Sequence, residues 1–170
     1  MEQDEIIITL EPGDSTTALL KLSNDLKNKL AARFGNQYEV SSGDFTKPEK
    51  DWSHEIKIRK GSKVGASVDL KWEKSKREIV KVDVDESTKL GTMITLGVLV
   101  PLLLIGAYMG YNNIAPLDFL PGRKIAGGLG GLIALIPGLI IVFVLKSALL
   151  KGEKAENAQL VASVKEAVKA

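Results

Sequence analysis

Gly91–Tyr111 reads GTMITLGVLVPLLLIGAYMGY and Ile125–Leu145 reads IAGGLGGLIALIPGLIIVFVL, two runs of 21 residues without a charged side chain. As helices rising about 1.5 Å per residue, each spans roughly 30 Å, the thickness of the hydrocarbon layer of a bilayer. A domain of 170 residues has too little interior to surround two helices that are apolar on every side. The expectation is a transmembrane helical hairpin over residues 90–145, with helices at 91–111 and 125–145 and a connecting loop at 112–124.

Charge is partitioned around these runs. Residues 1–89 carry 16 Lys/Arg and 17 Asp/Glu, whereas residues 90–145 carry only Asp118, Arg123 and Lys124. Residues 146–170 carry five Lys and three Glu. The expected organisation is therefore a cytoplasmic α+β domain at 1–89, the hairpin, and a cytoplasmic helical tail at 146–170. No segment is basic enough to point to nucleic acid.

Lysine and arginine near membrane ends set orientation. Lys71, Lys74, Lys76, Arg77, Lys81 and Lys89 precede the first run, and Lys146, Lys151 and Lys154 follow the second. The loop offers only Arg123 and Lys124. Both termini are expected in the cytoplasm, in a multi-pass protein of a cell's inner (cytoplasmic) membrane. Met1–Glu11 is acidic, and its apolar run Ile6–Ile8 is too short for a signal peptide. Tyr111, Ile114, Leu117, Phe119 and Leu120 are expected at headgroup level.

Small residues are ordered within the hairpin. Gly106-x-x-x-Gly110 lies near the outer end of the first helix, and Gly127-x-x-x-Gly131 near the outer end of the second. Glycine lets helix backbones approach closely, so these four residues are expected to pack the hairpin on itself or on further helices. No Asp, Glu, Lys, Arg or His lies inside either run, so the usual mark of an ion or proton pathway is missing. Pro101 and Pro137 sit near mid-span, where each removes a backbone donor.

In the N-terminal part, Glu5–Leu10 is rich in β-branched residues and Glu11–Asp14 is a turn. Asp14 or Ser15 is placed to cap a helix whose apolar face is Leu19, Leu22, Leu26, Leu30 and Phe34, ended by Gly35. Tyr38–Ser42 alternates, and Ser42–Asp51 is a loop. Three clearer strands follow: Glu55–Arg59, Val64–Trp72 and Val80–Asp85, joined by short turns that imply antiparallel pairing. The order is β-α-β-β-β-β, one helix on an antiparallel sheet. The other face presents Glu55, Lys57, Arg59, Asp69, Lys71, Lys81 and Asp83, with opposite charges expected to pair across strands. Lys57, Arg59, Asp69, Lys71 and Lys81 are the expected docking face. The tail reads as an amphipathic helix with Ala158, Val161, Val164 and Val168 near one face and Leu160 and Ala167 beside it, suited to packing on the N-terminal domain or against a partner helix.

Catalytic chemistry has few carriers. There is no cysteine and one histidine, His54, and no metal-ligand spacing. His54 reads as a structural or partly exposed histidine rather than a catalytic one. Ser15-Thr16-Thr17 reads as helix capping rather than a phosphate site, and Trp52 and Trp72 as core or membrane-rim residues. No enzymatic activity, cofactor or metal is expected. The expected function is a non-catalytic, membrane-anchored accessory or scaffold subunit. Its partners would be membrane lipids and a larger membrane protein complex or copies of itself as a homo-oligomer. The alternatives are a tethered small-ligand sensor and a membrane-shaping or pore-forming homo-oligomer.

Overall fold

The computed structural model describes residues 6–10, 14–46, 51–76 and 78–170. Glu5, the Glu11–Gly13 part of the expected turn, and Arg77 lie outside these residues. The chain divides into two compact units, Met1–Lys89 with Glu153–Ala170, and Leu90–Gly152.

The first unit is an α+β domain. Strands β1 (Ile6–Thr9), β2 (Glu39–Ser42), β3 (Trp52–Lys60), β4 (Val64–Trp72) and β5 (Ile79–Glu86) form one sheet in the order β1-β5-β4-β3-β2. Every pairing is antiparallel. Helix α1 (Ser15–Phe34) joins the strand at one edge to the strand at the other. Short links explain the β3-to-β5 meander, and the longer stretch 43–51 leads from β2 to β3. The placement of β1 beside β5 is a long-range pairing that no local signal encodes.

Asp14 caps α1, its carboxylate accepting hydrogen bonds from the Thr16 and Thr17 amides at 3.3 Å. This satisfies two of the amides that a helix start leaves without intrahelical partners. Leu19, Leu26 and Leu30 are buried on the expected face, joined by Ser23. The chain leaves the helix at Gly35, whose amide bonds to the Ala31 carbonyl.

A second helix shares the sheet. Helix α4 (Lys154–Lys169) packs on β4 and β5 and beside α1. The sequence pattern predicts one helix there and a helical tail from residue 146 suited to packing on this domain or on a partner; the tail helix packs on this domain as its second helix, and begins at residue 154. The difference has two causes. The last apolar helix runs on past Leu145, and α4 supplies Leu160, Val164, Ala167 and Val168 to the same core as Leu30, Ile58 and Val82. Burying each of the larger aliphatic side chains contributes about 1.5–3 kcal/mol. The buried stripe is rotated from the expected one: Ala158 is exposed and Asn157 is buried.

The second unit holds α2 (Lys89–Tyr111) and α3 (Arg123–Leu149). Both are long and apolar enough to cross a membrane. They outrun the expected limits at three of four ends. Each continues through its proline, Pro101 or Pro137.

Candidate functional site

Three features of the described residues carry polar or packing chemistry beyond an ordinary core: the seam between α2 and α3, the open sheet face, and the joint made by Asn157.

At the seam, a Cβ placed on Gly106 would strike the Gly130 carbonyl and the Ala134 methyl. One on Gly110 would strike the Ala126 carbonyl, and one on Gly130 the Gly106 carbonyl. The contacts run in opposite chain directions, so the helices are antiparallel. Gly106 and Gly110 therefore face the row Ala126, Gly130 and Ala134. Gly127 and Gly131 sit beside that row, with Cβ positions 3.4 Å from the Ala107 carbonyl oxygen and 3.2 Å from that of Leu103. Those distances leave more room than at Gly130. Sequence reasoning missed the Ala-x-x-x-Gly-x-x-x-Ala row because three overlapping small-residue patterns compete in one stretch. Leu117 and Leu120 of the connecting loop pack on Ala126 with Met109, whereas Ile114 and Phe119 are exposed.

The outer sides of this pair are apolar. Only 11% and 22% of the most apolar 18-residue stretches of α2 and α3 are buried within the chain. Leu96, Leu104, Leu132, Ile136, Ile140 and Phe143 are all more than half exposed.

On the open sheet face, Lys57, Arg59, Asp69, Lys71 and Lys81 share one side. Opposite charges pair across neighbouring strands, as expected, at Lys71 and Asp83, but not by direct opposition. Asp69 lies directly opposite Asp83 on β5 and Glu55 on β3, and Lys71 lies opposite Lys81. Like charges thus form rows across the strands. The ion pairs are displaced from direct opposition: Lys71 with Asp83 diagonally, and Lys57 with Glu55 along one strand at 2.7 Å. The Lys71 ammonium is raised above its ordinary pKa, chiefly by the hydrogen bond to Asp83. Asp69 is raised above the usual carboxylate value by burial first and then by the Glu55 charge. Arg59 leans away toward the end of β5 and donates to the Ser87 carbonyl and hydroxyl at 3.4 and 3.5 Å.

Asn157 is fully buried. Its side-chain oxygen accepts from the Gly65 amide at 3.0 Å, and its amide nitrogen donates to the Lys63 carbonyl at 3.1 Å and to Glu86 Oε1 at 3.2 Å. One side chain on α4 thereby ties together the β3–β4 turn and the end of β5. Beside it, Lys60 pairs with Glu156 at 2.9 Å, and farther along α4 Glu166 approaches Arg33 of α1 at 3.8 Å. The signal for Asn157 was present, because it falls three and seven residues before Leu160 and Val164. A polar residue on an apolar stripe reads as the edge of the stripe until the partner is known.

His54 is buried in the core, stacked on Trp52 with ring centroids 5.6 Å apart and flanked by Phe45. Burial lowers its pKa from the ordinary value of 6.5, and the Lys27 charge adds to this. Trp52 lies opposite Trp72 in the sheet, and both are buried. Among the described residues no group of three or more His, Asp or Glu is arranged to hold a metal ion. A cleft of about 380 Å³ opens between the end of α1 and the side of α4, lined by residues including Arg33, Tyr38, Gln159 and Ser163. No family model, curated protein or solved structure matches the chain.

Proposed function

We propose that this chain is a membrane-anchored, non-catalytic accessory or scaffold subunit whose α+β domain docks within a larger membrane protein assembly. The observation that carries it is the exterior of the α2–α3 pair. Small residues fill the seam, while large aliphatic and aromatic side chains point outward, uncovered by the rest of their own unit. Leaving each of these in water costs about 1.5–3 kcal/mol relative to burial. Lipid and neighbouring membrane helices are the environments that remove that cost.

An even number of crossings is supported by the composition of the first unit, which takes residues from both sides of the hairpin, 1–89 and 153–170. The lysine and arginine bias supports placing that unit in the cytoplasm. Its open face of ordered charge rows supports docking, because like charges held opposite one another are relieved by a partner of opposite charge.

Purification of the full chain from native membranes in mild detergent tests the reading. A defined complex, released by detergent and not by salt, is the expected result. A lone monomer, or release by salt washing, would overturn it. A second reading, a tethered small-ligand module, is favoured by the α1–α4 cleft, whose volume falls in the range of small-molecule sites. Chemical-shift changes confined to Tyr38, Gln159 and Ser163 on addition of a metabolite mixture would favour it over the first.

A further inference from the structure

We infer that the end of the hairpin where α2 begins and α3 ends binds the headgroup of an anionic phospholipid, with Lys146 and Lys151 holding its phosphate. This rests on the membrane-anchor part of the proposed function and goes beyond it by naming the lipid class and the residues that select it.

Helix α3 does not stop where its uncharged run stops. It continues to Leu149, so Lys146 lies on a regular helical turn with apolar residues before and after it. Phe143, Val144 and Leu149 are 74%, 56% and 46% exposed. Those side chains belong in hydrocarbon, and an ammonium on the same stretch does not. A lysine so placed lays its four-carbon stem along the apolar surface and delivers its charge to the headgroup layer. The 21 uncharged residues between Lys124 and Lys146 span roughly 30 Å as helix, which sets these two cations at opposite headgroup layers.

Lys146 is not alone at its end. Gly110 faces Ala126, Gly106 faces Gly130, and Leu102 meets Gly138. The same progression brings Lys146 level with the opening turns of α2, which starts at Lys89. Lys151 follows α3 in a short 3-10 turn. Carboxylates are missing here. The one Asp or Glu between Leu90 and Gly152 is Asp118, in the loop at the far end with Arg123 and Lys124. Glu153, next along the chain, approaches Lys63 at 4.0 Å. Among the described residues neither Lys146 nor Lys151 has an ion-pair partner.

Two cations at headgroup depth, with no anion of the chain to meet them, take one from the lipid, and a lysine ammonium is well suited to phosphate. A zwitterionic headgroup carries its own cation beside the phosphate, which repels the lysines. A net-negative headgroup does not, and that difference is the source of selectivity. The acyl chains lie against side chains such as Phe143 and Val144, which a free phosphate ion cannot use.

The full chain in neutral detergent is titrated with phosphatidylglycerol or with phosphatidylcholine of the same acyl chains, and native mass spectrometry reads the affinity of the first lipid bound. Phosphatidylglycerol is expected to bind at least ten-fold more tightly. Each lysine at an anionic headgroup contributes about five-fold, so Lys146→Gln with Lys151→Gln is expected to weaken phosphatidylglycerol by about twenty-five-fold. Lys146→Arg with Lys151→Arg, and Arg123→Gln with Lys124→Gln at the far end, are expected to keep the preference. Equal affinity for the two lipids overturns the inference, as does a preference that survives the Lys146→Gln, Lys151→Gln pair or is lost equally in the Arg123→Gln, Lys124→Gln pair. Displacement of the lipid by inorganic phosphate at equal concentration overturns it too, because the site would then serve a free anion. A chain that purifies in water without detergent overturns this inference together with the anchor. A chain that needs detergent but shows no lipid preference strikes the lipid site alone.

Discussion

The Asn157 side chain accepts the Gly65 amide at 3.0 Å across 92 positions of sequence, and α2, the connecting loop and α3 all lie between the two residues. The residue therefore reports whether the chain has returned to complete the domain that it left at Lys89.

Asn157→Ala is expected to destabilise the α+β domain by about 2–3 kcal/mol. Removing the side chain leaves the Gly65 amide and the Lys63 carbonyl without their buried partner, and each such group costs about 1–3 kcal/mol. Denaturant unfolding followed by tryptophan fluorescence measures it, since both tryptophans lie in this domain. Asn157→Asp is expected to be worse, because it adds a buried charge beside Glu86.

A chain in which residues 1–89 are joined to residues 153–170 by a flexible glycine–serine linker is expected to be soluble and cooperatively folded. Residues 1–89 alone, lacking Leu160, Val164 and Val168, expose the apolar strip of β4 and β5. They are expected to melt broadly and to be cleaved rapidly by protease. Thermal melts of the two chains side by side decide this.

Gly130→Leu is expected to spread the α2–α3 pair, because its side chain would enter the Gly106 carbonyl; overpacking of this kind costs about 1–3 kcal/mol. Gly128→Leu, where no atom lies within 4 Å of the Cβ position, is expected to be neutral. Thermal stability of both variants in one detergent supplies the comparison.

His54 gives the domain an acid-side sensitivity. Its folded-state pKa is depressed below 6.5 by burial and by Lys27, so the unfolded chain takes up its proton first as pH falls. Stability from neutral imidazole is complete above about pH 6.5 and declines below it. His54→Phe keeps a ring against Trp52 and is expected to flatten this decline. Denaturant midpoints at pH 7.5 and 5.5 give the test.

Asp69 has the opposite sign. Its folded-state pKa is raised above 3.8, so its charged form is penalised at neutral pH and the penalty disappears in acid. Asp69→Asn is expected to stabilise the domain by a few tenths to about 1 kcal/mol at pH 7, with no gain below pH 3.8. A variant that destabilised equally at both pH values would exclude the charge-row explanation.

Much of the architecture was legible in residue order. Uncharged runs of 21 residues announce two long apolar helices, because nothing short of a helix satisfies so much backbone in an apolar setting. Alternation at Val64–Trp72 announces a strand with two unlike faces, and Asp14 before a leucine period of three and four announces a capped helix. These are local facts, encoded by side-chain period and by the needs of a helix start.

Tertiary structure alone decided the rest. Period fixes which residues share a face but not what the face meets. So β1 beside β5, α4 on the sheet, and Asn157 as a buried joint were settled by pairing across long stretches of chain. The choice of Gly130 over Gly127 at the seam depends on the rotation of two helices about their axes, a degree of freedom that only close packing fixes. The rows of like charge follow from strand register, where a shift by two residues keeps every face and changes every neighbour.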